Sequence, residues 1–406
     1  MTKKDIKKNI VEPLVFMAVF IAFFGLIGHR MGLVNMLSTL MNTAYDLLMN
    51  TVFYIMAIAV LAGAIGAVLS EFGVIRLINT LVSPLMKPLY GLPGAASVGV
   101  MTTYLSDNPA ILALADDKNF IRYFRKYQVP ALTNIGTAFG MGAIITTFVI
   151  GLSTNGSSEL ISAAIVGNIG AVFGSIVSTR LMLTFTKREY GTTAWAIDDG
   201  PNGQEASAAE DESAEIREDA AGEAGNTQST TGKPSKKSIG LRAIESMLTG
   251  GKSGVKIGLE IIPGVLIICS LVLMLTNGPS ADGTYTGAAF EGVGVFPWIA
   301  DKLSFILKPL FGFTGNECIS IPITALGSAG AAIALIPGML AQGQATGADV
   351  AVFTAMCMCW SGYLSTHVAM MDSLGARQLT GKAILCHTIG GICAGIFAHW
   401  VFVLLV

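Results

Sequence analysis

The chain has 406 residues, of which 52% are hydrophobic and only 13% charged, with a mean hydropathy of +0.63. A soluble chain carries about 25% charged residues, so a single water-facing core cannot hide this much apolar surface, and lipid must serve as solvent for much of it. The net charge of −2 says little because the charges are segregated along the chain, and no nucleic-acid partner is expected.

The basic start, Met1 to Asn9, runs into an apolar stretch at about 11–29 with no small-residue cleavage site after it, which reads as a retained first transmembrane helix rather than a signal peptide. The tract 33–48 reads as an amphipathic helix near an interface. A span needs roughly 20 mostly apolar residues. Further spans follow at about 51–70, 128–151, 160–184, 255–276, 350–371 and 383–405, and a second amphipathic tract lies at 297–311. Two other apolar stretches, 92–116 and 313–341, are broken by Gly, Pro, Ser, Thr and Asn and read as re-entrant hairpins. Residues 189–237, rich in Ala, Glu, Asp, Gly, Ser and Thr, read as a disordered tether. The six cysteines, Cys269, Cys318, Cys357, Cys359, Cys386 and Cys393, lie in the second half, mostly within apolar runs, and read as packing residues rather than a disulfide frame or a zinc site.

Lys and Arg favour the cytoplasmic side of a membrane. With the N-terminus inside and both broken stretches treated as hairpins, the basic clusters at Lys3–Lys8, Lys118–Lys126, Lys187–Arg188, Lys233–Lys237 and Arg377–Lys382 all fall inside. Of the 25 basic residues, only Arg30, Lys302 and Lys308 then fall outside. The expected location is the plasma (inner) membrane, with the C-terminus outside.

A shift of 221 residues lays the second half on the first. Lys87-Pro88-Leu89-Tyr90-Gly91-Leu92-Pro93-Gly94 falls on Lys308-Pro309-Leu310-Phe311-Gly312-Phe313-Thr314-Gly315, and the register holds through Gly170 and Gly174, which meet Gly391 and Gly395. Each unit is one span, one hairpin and two spans. Three crossings is an odd number, so tandem copies must lie upside down relative to each other, the inverted repeat of many secondary transporters. The organisation is therefore read as a first span and amphipathic helix at 1–50, one repeat at 51–186, a cytoplasmic linker at 187–252 and the inverted repeat at 253–406. The fold class is all-α and polytopic, with about seven transmembrane helices and two re-entrant hairpins.

Polar residues within apolar runs mark candidate sites. The first hairpin carries Ser106, Asp107 and Asn108. Asp107 serves either as a ligand contact near the hairpin tip or as the cap of a helix starting at Pro109. The second carries Asn316, Glu317, Ser320 and Thr324, with Glu317 a direct ligand contact, a coupling-ion site or a clamp at the hairpin base. Thr133, Asn134 and Thr137 share one face of the following span. Thr354 and His367 are candidates in the second copy, where His367 is either a proton relay or an interfacial histidine near the cytoplasmic end of its span. No metal site is assigned, since Cys318, Cys357, Cys359 and His367 match no standard ligand spacing. No catalytic constellation or phosphate-binding loop appears, and an enzyme is not expected.

On the repeated KPL-x-G-x-x-G block leading into each broken stretch, the chain resembles the Gate, or nucleoside-recognition, superfamily over roughly residues 50–186 and 255–406. That group includes the concentrative nucleoside transporters, the membrane part of the ferrous iron transporter B proteins and the spore maturation proteins. The resemblance implies paired hairpins around a central site and, for its transporters, cation-coupled uptake with polar and acidic hairpin residues contacting the ligand.

The expectation is therefore a secondary transporter of a small polar solute, nucleoside-like or another small organic compound, with Na⁺ or H⁺ as coupling ion, no other cofactor and a homo-oligomeric assembly. Ser106, Asp107, Asn108, Thr133, Asn134, Asn316, Glu317, Ser320 and Thr324 would bind the solute, and Asp107, Glu317, Thr354 and His367 the ion. A divalent-metal permease and a non-transporting scaffold of the spore maturation type are the alternatives.

Overall fold

The computed structural model describes residues 10–105, 114, 118–153, 158–197, 238–280 and 282–406. Among these residues the regular structure is helical, apart from one isolated bridge between Arg125 and Trp195. Five of the seven expected spans are continuous helices of membrane length: Glu12–Met31, Glu159–Tyr190, and the membrane portions of Leu33–Glu71, Ile239–Thr276 and Arg377–Leu405. The chain is a polytopic helical membrane protein.

The first helix, α1 (Glu12–Met31), presents Leu14, Phe16, Val19, Ile21 and Leu26 to the surroundings and buries only Ile27 and Met31, near its end. An apolar helix this bare is covered by lipid. The 33–48 tract is not a separate interfacial helix. It forms α2 (Leu33–Asp46), and a π-helical turn at Leu47–Val52 carries it without a break into α3 (Phe53–Glu71). No Gly or Pro lies between Asp46 and Phe53 to stop the helix, and the π-turn absorbs the change of register.

The 187–252 segment also needs correction at both ends. The preceding helix α8 (Glu159–Tyr190) runs past residue 187, and α9 (Ile239–Gly264) begins well before residue 253, with the Ser238 hydroxyl accepting the Leu241 N–H as its N-cap. Gly250, Gly251 and Gly254 lower the hydropathy of this stretch, yet they are where α9 meets α3. A methyl group on Gly254 would lie 2.3 Å from the Ala59 carbonyl oxygen, and one on Gly250 would lie 2.1 Å from that of Gly63. Small residues allow such close backbone approach between membrane helices. A second π-turn, Val265–Cys269, leads into α10 (Ser270–Thr276).

In each half a lysine-proline turn precedes the hairpin. The first follows α4 (Val74–Leu85) and the second lies within α12 (Ser304–Phe311), which succeeds α11 (Val295–Lys302). The Gly91 N–H donates to the Lys87 carbonyl (3.0 Å) and the Gly312 N–H to the Lys308 carbonyl (2.8 Å). Both glycines are left-handed, with φ of 72° and 65°. These are matching αL caps, and glycine is the residue that adopts them without a Cβ penalty. The sequence repeat is thus a repeat of backbone conformation.

After the first cap comes α5 (Ala96–Leu105), the described arm of hairpin one. Hairpin two is described throughout. A 3₁₀ turn (Asn316–Ile319) leads into α13 (Ser320–Ala325), the chain reverses at Leu326–Ser328, and α14 (Ala329–Ala334) and α15 (Ile336–Ala341) return. The two remaining expected spans are each broken in the middle: α6 (Ala131–Gly136) from α7 (Gly142–Gly151), and α16 (Gly347–Cys359) from α17 (Ser365–Ser373). The last helix, α18 (Thr380–Leu405), packs against α8 and α16 around Gly167, Gly170, Gly174, Gly390 and Ala394.

Candidate functional site

The unwound turns of the two broken spans, Thr137–Met141 and Trp360–Leu364, lie at nearly equivalent places in the two copies, and the structure joins them. The Ser361 hydroxyl donates to the Thr137 carbonyl at 3.2 Å. Irregular backbone at membrane depth survives only where protein or water surrounds it, and here it is enclosed by polar side chains from both repeats.

The polar face of α6 begins the cluster. Thr133, Asn134 and Thr137 are all fully buried. The Asn134 amide donates to Ser178 Oγ on α8 and to the Ala383 carbonyl on α18, each at 2.9 Å, which ties three helices to one side chain. The Thr137 hydroxyl donates to the Thr133 carbonyl (2.6 Å), and its oxygen lies 3.4 Å from His387 Nε2. On the other side of that ring, His387 Nδ1 is 3.2 Å from Ser178 Oγ. Thr137 has already given its only proton to the Thr133 carbonyl, so the tautomer that completes the chain has Nε2–H donating to Thr137 and Nδ1 accepting from the Ser178 hydroxyl. The Trp360 indole N–H donates to the His387 carbonyl at 3.0 Å, fixing the backbone behind the ring.

His367 is enclosed by protein. It is fully buried on α17, its ring 4.5 Å from that of His387 and 6.4 Å from that of Tyr363. Its Nδ1 faces the Gly362 carbonyl at 3.0 Å and so carries the proton. Its Nε2, like Asn134 Oδ1, is buried with no hydrogen-bond partner among the described residues.

The tip of hairpin two reaches this region. Its tip residue Ser328 caps α14 by accepting the Ala331 N–H, and its hydroxyl would lie 3.0 Å from a methyl group on Gly264, next to the second π-turn. The Cys269 thiol within that turn donates to the Ala331 carbonyl at 2.9 Å. Met141, at the break of the first span, has φ of 57° and sends its side chain toward Gly330. A non-glycine residue in this conformation costs on the order of 1 kcal/mol, and such strain gathers at working sites.

The other expected site residues are dispersed. Ser106, Asp107 and Asn108 lie outside the described residues. Ser320 and Thr324 donate back to the Glu317 and Ser320 carbonyls of their own helical segment, at 2.6 and 2.7 Å, and Thr354 does the same with Val350 at 2.7 Å while packing on Gly167. Asn316 is half-buried at the start of the 3₁₀ turn. Glu317 stands at the base of hairpin two, far along the chain from the tip. There it faces a separate open cleft of about 210 Å³ shared with Thr276, Asn277, Phe290, Gln342 and Gln344. Cys318 donates to the Gln344 carbonyl and to Asp349, the carboxylate that closes a capping box with Thr346. Among the described residues no three His, Cys, Asp or Glu side chains are grouped to hold a metal ion.

Three residues that the sequence reading passed over matter here. His387 and Ser178 complete the buried cluster, and the signal for His387 was an ionisable side chain in an otherwise apolar span. Glu291, in the loop before α11, accepts from Ser280, from the Thr286 hydroxyl and amide, and from the Gly287 amide. Burial raises its pKa, but these four donors outweigh that and draw it down to about 2.

No family model matches the chain, and no curated protein matches it. Among solved structures it is similar to CNTnw, a concentrative nucleoside transporter, in an inward-facing substrate-bound state, with a TM-score of 0.50 and 14% identity over 98% of this chain and 86% of that one. Two intermediate states of a CNTnw variant align with TM-scores of 0.48, each at 14% identity, covering 85% and 98% of this chain and 75% and 99% of theirs. The likeness is one of fold.

Proposed function

We propose that the protein is a secondary active carrier of a small polar solute, a nucleoside or another small organic compound, coupled to Na⁺ or H⁺. The observation that supports this most directly is the Ser361–Thr137 contact, which couples the two broken spans inside a fully buried polar cluster. Broken helices from inverted repeats meeting near mid-membrane are how many carriers build a site that each half can expose in turn. A purely structural crossing would be served by apolar packing, because each unsatisfied polar group in hydrocarbon costs several kcal/mol. Asn134, Thr137 and Ser178 supply hydrogen bonds of the kind that orient a neutral polar solute. The cleft at Glu317, on the side where hairpin two enters, then serves as its outer approach.

The orientation in this reading puts the N-terminus inside a plasma membrane and the C-terminus outside. Support comes from one face where cationic side chains lie over aromatic rings: Arg125 over Trp195, Lys126 over Tyr190, Lys187 over Tyr127 and Lys382 over Phe185. Lys and Arg are enriched in cytoplasmic loops, and aromatic rings settle at the membrane boundary.

The test is uptake into proteoliposomes from a panel of labelled nucleosides, amino acids and other small polar metabolites, with Na⁺ and pH gradients imposed separately. Accumulation of one solute above its outside concentration, driven by one of the gradients, is expected. Correctly inserted protein that moves no member of the panel under either gradient would remove the carrier reading.

A further inference from the structure

We propose that the coupling ion is the proton, and that the paired imidazoles of His367 and His387 are its binding site. This rests on the carrier reading above and deepens it.

The argument is geometric. The His367 ring is held with Nδ1 on the Gly362 carbonyl, which leaves Nε2 as a lone pair. That lone pair is buried and faces no donor among the described residues. A buried acceptor without a partner is costly to keep, and here it marks a place where a proton can arrive. Its nearest ring neighbour is a second fully buried imidazole at 4.5 Å, and two cations at that separation repel strongly. The pair therefore takes one proton, and its titration belongs to both rings together.

The surroundings make this proton count. Tyr363 faces both rings, 6.4 Å from His367 and 6.2 Å from His387. The remaining contacts are neutral: the Gly362 carbonyl on His367, the Cys359 backbone on His387, and Ser178 and Thr137 on either side of the His387 ring. The only carboxylate on α17, Asp372, is exposed and paired with Arg377 at 3.7 Å. A proton taken from the aqueous phase forms an N–H bond on one ring and leaves a cation with no carboxylate in contact among the described residues. That state is favoured by a conformation in which water reaches the rings.

The mechanical link follows from the hydrogen bonds. A proton on His387 Nδ1 forces the Ser178 hydroxyl to turn away, and Ser178 is the acceptor of the Asn134 amide that ties α6 to α8 and α18. Protonation is thereby connected to the contacts that hold the first broken span, at α6, to α8 and to α18 of the other repeat.

Two measurements test this. In nanodiscs, the imidazole nitrogens of isotopically labelled protein are followed between pH ~5 and ~8, the range in which histidine ordinarily changes charge. The four histidines are assigned by single substitution. One shared titration step on His367 and His387, lost from the partner ring in His367→Gln and in His387→Gln, is expected, and two rings that never change overturn the proposal whether or not a substrate is known. In proteoliposomes, His367→Gln should lose accumulation driven by a pH gradient while keeping solute exchange at equal concentrations. Accumulation driven by Na⁺ alone and indifferent to pH would overturn the proton site and leave the carrier intact. Absence of any exchange in the wild type would strike the carrier reading instead, and the nitrogen titration would still decide whether the pair binds a proton.

Discussion

Gly174 on α8 and Gly390 on α18 meet backbone to backbone. A methyl group added to Gly174 would lie 2.4 Å from the Gly390 carbonyl oxygen, and one added to Gly390 would lie 2.6 Å from that of Gly174. In the 221-residue register Gly174 corresponds to Gly395, and the crossing falls at nearly the same place on the last helix of each copy.

The contact has a measurable cost if disturbed. Gly174→Ala and Gly390→Ala each place a methyl group against backbone that cannot turn aside, and overpacking of this kind costs about 1–3 kcal/mol. Both variants are expected to lower the thermal unfolding midpoint in mild detergent. Gly381→Ala, on the same helix as Gly390 but with no atom within 4 Å of its added carbon, is expected to leave it unchanged. Equal stability of all three variants would mean that the helices do not cross here.

Much of this fold can be read in the residues, for identifiable reasons. The lysine-proline-glycine block is legible because its glycine must be left-handed, so the same conformation in both halves demands the same letter at Gly91 and Gly312. The breaks in the two middle spans are not legible. Thr137 to Met141 contains no proline, and the φ of 57° at Met141 is imposed by packing around it rather than by its own preference. The start of α9 was hidden because hydropathy counts Gly250 and Gly254 as neutral, whereas their value lies in what they let approach. For the site, Thr133 and Asn134 stand out as polar residues on one face of an apolar helix. Their partners Ser178 and His387 come from distant segments that only folding brings together. The sequence groups Glu317 with Asp107 at one site, yet the 221-residue register places Asp107 on Ser328, the tip of hairpin two, and leaves Glu317 at its base.

That displacement changes what Glu317 should do. On the carrier reading, a carboxylate at the mouth of an open cleft would meet a solute on entry rather than hold it at mid-membrane. Glu317→Gln is therefore expected to raise KM for uptake from outside several-fold with little change in kcat, since an entry contact adds binding without selecting among later states. Transport abolished in a variant that still inserts would return Glu317 to the central site.

Glu291 gives the loop before α11 a dependence on acid. Its folded pKa of about 2 lies below the ordinary value of 4.5, so the carboxylate stabilises the loop fully above about 4.5. That contribution declines as pH falls from there toward 2, because protonation removes the acceptor that Ser280, Thr286 and Gly287 share. Cleavage near Phe290 by an acid-active protease is expected to rise across this window in the wild type. Glu291→Gln should be cleaved readily throughout it, with no such rise. A wild-type loop equally resistant at both ends of the window would show that the carboxylate does not hold it.

The inverted arrangement itself makes the most exposed prediction, because it assigns faces to residues far apart in sequence. Arg188 closes α8, and Gln342 follows α15 at the base of hairpin two; both are exposed. If the repeats are inverted and the N-terminus is inside, Arg188 is cytoplasmic and Gln342 external. Of the native cysteines five are buried and Cys393 is half-buried on a membrane helix, so their background reaction with a water-borne reagent should be low. A membrane-impermeant maleimide applied to intact cells should then label Gln342→Cys at once, and Arg188→Cys only after the membrane is opened. Swapped labelling would reverse the orientation and leave the two-fold relation standing. Labelling of both from outside would put the end of α8 and the base of hairpin two on one face. Two copies of a three-crossing unit cannot do that, and the case for a site exposed alternately to each side would fall with them.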